Sequence, residues 1–126
     1  MRAFSLSIAT SIGLGLAAVA SAQTSDSGFA PDDPDLAVAT FAGGCFWCVE
    51  AYYEKNVPGV VEAVSGYSGG EVEDPTYEEV SGGRTDHTEA VQVYYDPTRI
   101  TYEGLLEGLW RTADPTDING QYVDRG

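Results

Sequence analysis

Cys45 and Cys48 form a C-x-x-C pair directly after Gly43-Gly44, and no other residues in the chain carry so strong a chemical signal. The segment before them reads as a strand and the segment after them as a helix, so Cys45 falls where the helix starts. Unpaired backbone N–H groups and the positive end of the helix dipole favour thiolate over thiol there, which makes Cys45 the expected nucleophile. Cys48 lies one turn on, close enough to form a disulfide with it. An inert disulfide is the plain alternative, yet so short a loop restrains the unfolded chain little, and redox chemistry is the better reading.

Phe46 and Trp47 stand between the two cysteines. On a first helical turn they cannot both face a core, so at least one is expected to be partly exposed, as a wall for an apolar group carrying sulfur. Glu89 shares two-residue parity with Val91, Val93 and Tyr95, which sets a carboxyl on an apolar strand face. Desolvation there would suit it to act as a general acid. His87, a lone histidine in a Gly-, Thr- and Asp-rich loop, reads as structural. Asp32, Asp33 and Asp35 read as a solvated acidic segment, because no Gly and Glu follow at a calcium-loop spacing.

These groups need a scaffold. Leu36–Phe41 is a short apolar run that suits a buried strand, ended by Gly43-Gly44. Cys45–Asn56 holds no helix breaker, places Val49, Tyr52 and Tyr53 on one face, and stops at Val57-Pro58-Gly59. Val60–Tyr67 reads as a second strand. Asp74-Pro75 offers an N-cap with Pro at the first helical position, predicting a turn of helix over Thr76–Val80. Thr88–Tyr95 is the third strand. Ile100–Trp110 follows as a helix capped by Thr101, with Leu105, Leu106, Leu109 and Trp110 on one stripe. The order strand, helix, strand, strand, helix predicts an α+β, ferredoxin-like split βαβ plait with long loops, its last strand missing from this chain. Asp114–Gly126 reads as loop, and the chain as a fragment or truncated product.

The 126 residues fit a single domain. Leu, Ile, Val and Phe number only 27, seven of them in the first 22 residues, which by itself would suggest disorder. Eight Tyr and two Trp, all beyond residue 22, overturn that reading by the area they can bury. A formal charge of −14 excludes undirected binding to nucleic acid or anionic membranes. Two Cys and one His exclude a closed zinc site unless carboxylates complete it, so no metal and no cofactor are expected.

Arg2, an apolar and small-residue stretch from Phe4 to Val19, and Ala20-Ser21-Ala22 read as a signal peptide over residues 1–22. The apolar stretch is too short to span a bilayer, and no stable membrane association is expected after cleavage. Residues 23–35 read as an acidic linker and 36–126 as the folded domain. Export to the periplasm or outside the cell implies an oxidising compartment.

Phe41-Ala42-Gly43-Gly44-Cys45-Phe46-Trp47-Cys48-Val49-Glu50 resembles the signature of A-type peptide-methionine sulfoxide reductases. Gly66-Tyr67-Ser68-Gly69-Gly70, Asp74-Pro75-Thr76-Tyr77, His87-Thr88-Glu89-Ala90-Val91, Asp96-Pro97, Asp114-Pro115-Thr116 and Gln121–Gly126 continue the resemblance in order. It implies thiol-dependent reduction of the S epimer of methionine sulfoxide, free or in proteins. By the resemblance Cys45 attacks the sulfoxide sulfur, Glu89 protonates the departing oxygen and Tyr77 helps to hold it. Phe46 and Trp47 accept the methyl group, and Asp124 is the acidic residue near the attacking Cys. Cys45 becomes a sulfenic acid, Cys48 resolves it to a disulfide, and a thioredoxin-like donor restores both thiols.

Three features depart from the family pattern: Cys48 where many members have Gly, Asp86 where Gly usually precedes the His, and the lack of the family's second substrate-holding Tyr after Gly126. A thioredoxin-like disulfide oxidoreductase is the competing enzyme reading, against which the aromatic spacer and Glu89 speak. The competing non-enzyme reading is a Tyr-rich binding module with a static disulfide.

Overall fold

The computed structural model describes residues 30–122 together with the backbone of 124–125. The expected signal peptide and the linker before residue 30 lie outside the described residues. None of the described helices is long and apolar enough to cross a membrane.

Three strands, β1 (Ala37–Phe41), β2 (Val60–Ser68) and β3 (Thr88–Tyr95), form an antiparallel sheet in the order β1-β3-β2. The central strand β3 is the last of the three in sequence. Its expected bounds are those observed, because the β-branched and aromatic residues of this stretch are stopped by Asp96-Pro97. Between the strands run α1 (Phe46–Asn56), the single-turn helix α2 (Tyr77–Ser81) and, after β3, α3 (Tyr102–Thr112). The result is a mixed α/β fold on an open antiparallel sheet.

The core lies between one sheet face and the two long helices. Ala39 and Phe41 of β1, Val91, Val93 and Tyr95 of β3, and Ala63 of β2 meet Phe46, Val49 and Tyr53 of α1 and Leu105 of α3. The Tyr53 hydroxyl, fully buried, donates to the Leu105 carbonyl oxygen at 2.7 Å and so ties α1 to α3. That bond answers the cost of burying a phenol, which unpaired would be about 1–3 kcal/mol. Phe41 stacks on Tyr53 with ring centroids 5.6 Å apart.

Four local expectations change. β1 is an edge strand that alternates rather than a fully buried one: Ala39 and Phe41 point inward, and Val38 is 51% exposed. Thr76, not Asp74, caps α2. Its hydroxyl accepts from the Glu79 N–H while the Glu79 carboxylate accepts from the Thr76 N–H, a reciprocal capping box that leaves Pro75 outside the helix. Trp110 leaves the apolar stripe of α3 and is 60% exposed, because the buried face runs through Leu105 and Gly108. Finally, Asp114–Gly126 is not all loop: Gly120–Gln121 (β4) and Asp124–Arg125 (β5) pair as a small antiparallel hairpin. No hydrophobic run marks strands this short.

Candidate functional site

β1 stops at Phe41, opposite Val91, whereas β3 begins three residues earlier at Thr88. Thr88 and Glu89 therefore overhang β1 and have a strand neighbour only on the β2 side, where Glu89 faces Tyr67. The chain leaving β1 turns through Gly43-Gly44 beside this overhang. Gly44 has φ of +86°, in the left-handed region that costs glycine nothing. The turn delivers Cys45 as the N-cap of α1, with no hydrogen bond from its side chain to the helix. The Cys45 carbonyl accepts from the N–H groups of Cys48, at 3.0 Å, and Val49, at 3.2 Å, so both cysteines share the first turn.

Glu89 reaches that turn. Its Oε2 accepts from the Phe46 N–H at 2.9 Å, satisfying one of the donors that a helix start leaves unpaired. A half-buried carboxyl thus stands one residue from the Cys45 backbone, on the apolar face that its parity predicted. The second thiol, Cys48, is exposed, and Cys45 is half-buried.

Aromatic rings surround the turn. Phe46 is buried and Trp47 is 57% exposed, the split expected for neighbours on a first turn. Tyr77, the first residue of α2, stacks on Trp47 at 5.3 Å and lies 6.2 Å from Phe46. Tyr67 adds a fourth ring, 5.7 Å from Phe46. Burial, then the Glu89 carboxylate and Tyr77, push the Tyr67 phenol above its ordinary value, so it stays protonated. Tyr67 was not singled out from the sequence, although its parity with Ala63 and Ser65 on β2 places it on the Glu89 face. These rings offer an apolar, polarisable shelf beside a thiol and a carboxyl. Glu89 also lines an open groove of about 770 Å³, together with Gly43, Gly44, His87, Trp110 and Gln121. Cys45 and the four rings lie outside it.

His87 is structural, as expected. Its Nδ1 accepts from the Gly70 N–H at 3.1 Å, which leaves the proton on Nε2 to be donated to the Val72 carbonyl at 2.9 Å. The ring staples the loop leading to Tyr77 onto the start of β3. Asp86, beside it, adopts φ of 56°, a conformation where glycine is at ease and Asp is among the few tolerated alternatives. On the far flank of α1, Glu50 Oε2 accepts from the Ser65 N–H at 2.9 Å and from the Ser65 hydroxyl, tying the helix to β2. The structure thus brings Cys45, Cys48, Phe46, Trp47, Tyr77 and Glu89 to one place. Asp124 contributes backbone to the β4–β5 ladder, paired with Gln121, and its side chain lies outside the described residues.

The family model described as peptide methionine sulfoxide reductase matches residues 37–126. The Vibrio cholerae protein named peptide methionine sulfoxide reductase MsrA/MsrB is 47% identical over 115 residues, covering 91% of this chain and 30% of its own length. A Listeria monocytogenes peptide methionine sulfoxide reductase MsrA is 53% identical over 91 residues, covering 72% of this chain and 51% of its own. Methionine sulfoxide reductase A of Corynebacterium diphtheriae superposes with a TM-score of 0.70 at 38% identity, over 75% of this chain and 44% of that one. Mxr1 from Saccharomyces cerevisiae in reduced form gives 0.68 at 38% identity, over 75% and 56%. The chain spans about half the length or less of the relatives it matches. Matched over its whole folded region by the family model, and built on the same fold as two solved members, the chain belongs to the peptide methionine sulfoxide reductase family.

Proposed function

We propose that this chain reduces the S epimer of methionine sulfoxide, free or in proteins, to methionine. The observation that carries the reading is the hydrogen bond from the Phe46 N–H to Glu89, which sets an acid beside the start of the helix that Cys45 caps. The Cys45 thiolate attacks the sulfoxide sulfur, and the oxygen, protonated by Glu89 and steadied by Tyr77, ends on Cys45 as a sulfenic acid while the thioether leaves. Cys48 then attacks that sulfur, water departs, and a Cys45–Cys48 disulfide remains. Two electrons have passed from the thiols to the sulfoxide. A dithiol protein of the thioredoxin type returns them.

Phe46 and Trp47 hold the methyl group on the aromatic shelf, and by its place in the motif Asp124 takes the part of the family's acidic residue near the attacking thiol. The sheet order β1-β3-β2, with α1 crossing between β1 and β2, supports the ferredoxin-like plait as the parent architecture. The segment 1–22 is read as an export signal, so the reaction belongs in the periplasm or outside the cell. The test is incubation of the dithiol-reduced chain with the separate S and R epimers of a methyl sulfoxide, and with insulin. Thioether from the S epimer alone is expected. Insulin reduction without thioether would favour the disulfide oxidoreductase instead.

A further inference from the structure

Gly43 and Gly44 are each covered from outside their own segment. A Cβ on Gly43 would lie 2.8 Å from Leu109 Cδ1, and one on Gly44 would lie 2.5 Å from Gln121 Cβ and 3.2 Å from its Cγ. The stem of Gln121 is therefore seated on the residue that precedes Cys45. Its amide is engaged elsewhere: Oε1 accepts from the Asp114 N–H at 2.6 Å, and Nε2 donates to the Asp114 carbonyl at 2.7 Å. Both ends of one peptide residue are held by one side chain.

Asp114 is itself fixed. Its Oδ1 accepts from the N–H and hydroxyl of Thr116, at 2.9 and 2.6 Å, and it follows Ala113, whose N–H closes α3 on the Leu109 carbonyl. A continuous set of contacts thus joins the end of α3 to Asp114, Gln121, Gly44 and the start of α1.

We propose that Gln121 is a positioning residue: its amide clamp on Asp114 presses its stem onto Gly44 and so aligns Cys45 and the Phe46 N–H with Glu89. The assignment rests on reading Cys45 and Glu89 as the reacting pair. It gives Gln121 no contact with substrate. A groove wall that also braces the catalytic turn would otherwise be free to drift, and small misplacements of reacting groups cost large factors in rate.

The test compares Gln121→Ala and Gln121→Glu with the wild-type chain by two measurements. One is amide hydrogen exchange at Phe46, with Val93 in the central strand as the internal reference. The other is single-turnover reduction of free methionine (S)-sulfoxide over a range of concentrations. For Gln121→Ala the expected result is exchange about tenfold faster at Phe46 with Val93 unchanged. The turnover rate constant should fall about tenfold at an unaltered half-saturating concentration.

Gln121→Glu should behave likewise at pH 7 and return part of the way toward wild type at pH 5, since the Asp114 carbonyl oxygen that faces it favours the protonated carboxyl, which regains one donor and one acceptor. The titratable groups around it are Asp114, whose backbone it holds, Asp117, which accepts from the Tyr122 N–H, and His87 and Glu89 along the same groove; the ratio to wild type at each pH removes the effect of these on the reaction itself. The Asp114 carboxyl is held below its ordinary value by its Thr116 hydrogen bonds and stays ionised over that range. Wild-type exchange and turnover in folded Gln121→Ala would overturn the proposal, as would equal acceleration at Phe46 and Val93. So would a Gln121→Glu to wild-type ratio that does not change with pH, which decides the matter even where Gln121→Ala fails to fold. A wild-type chain inert toward both epimers would sink the functional reading and leave the exchange comparison standing.

Discussion

Glu89 on the central strand accepts a hydrogen bond from the backbone N–H of Phe46, the residue after Cys45, at 2.9 Å. That bond gives Glu89 a part in holding the helix start, separable from the proton delivery proposed for it. Glu89→Gln keeps an acceptor oxygen for Phe46 and loses the acid. Single-turnover sulfoxide reduction at neutral pH should slow by roughly 10² to 10⁴, with circular dichroism unchanged. Wild-type turnover in the folded variant would reduce Glu89 to a helix cap.

Cys45 and Cys48 share a turn but differ in exposure, and attack and resolution need different sulfurs. Cys45→Ser should abolish methionine formation. Cys48→Ser should release one equivalent per chain and then stop, with the remaining thiol trapped as sulfenic acid by dimedone. An equal loss of the first turnover in both variants would remove this division.

Burial, then repulsion and a hydrogen bond from Glu54 and the charge of Glu50, raise the Glu62 carboxyl above its ordinary 4.5. A raised folded-state value means that the native state binds the proton more tightly than the unfolded chain does. Its contribution to stability is present below pH 4.5 and is lost as pH rises through the shifted value. Glu62→Gln should therefore raise the melting temperature at pH 7 and leave it unchanged at pH 4. Equal shifts at both pH values would show that the gain is not electrostatic.

Asp86 is exposed at φ of 56°. Asp86→Gly relieves the strain but adds freedom to the unfolded chain, so the two should cancel to within about 0.5 kcal/mol. Asp86→Val places a β-branched side chain in the same conformation and should cost about 1–2 kcal/mol in urea unfolding. A tolerated Val would mean that the loop readjusts.

Much of this was legible in the residues. The period of two in Thr88–Tyr95 placed Glu89 on the apolar face, and the Gly-Gly turn before the cysteines placed Cys45 at a helix start. What failed to show has physical reasons. The Asp74-Pro75 pair imitates a cap, while the true signal, Thr76 with Glu79 three residues on, is equally local and competes with it. Trp110 is apolar but sits two residues past Gly108 on the buried line of Leu105 and Gly108, where the helix turns it outward. Gln121 belongs to a segment that carries the family resemblance but has no period or spacing that shows its contacts: its partners, Asp114 and Gly44, are brought to it only by the fold.

Of the three described strands of the sheet, the last to leave the ribosome is the one that lies in their middle. Ala37 pairs with Tyr95, and β2 also pairs with β3, so neither of these two ladders can form before β3 is made. Such non-local closure is slow compared with helix formation. α1 and its two cysteines can therefore take shape well before Glu89 arrives, and the meeting of thiol and acid reports that β3 has taken its place between β1 and β2. A chain interrupted before β3 carries the thiols without the acid that would direct them.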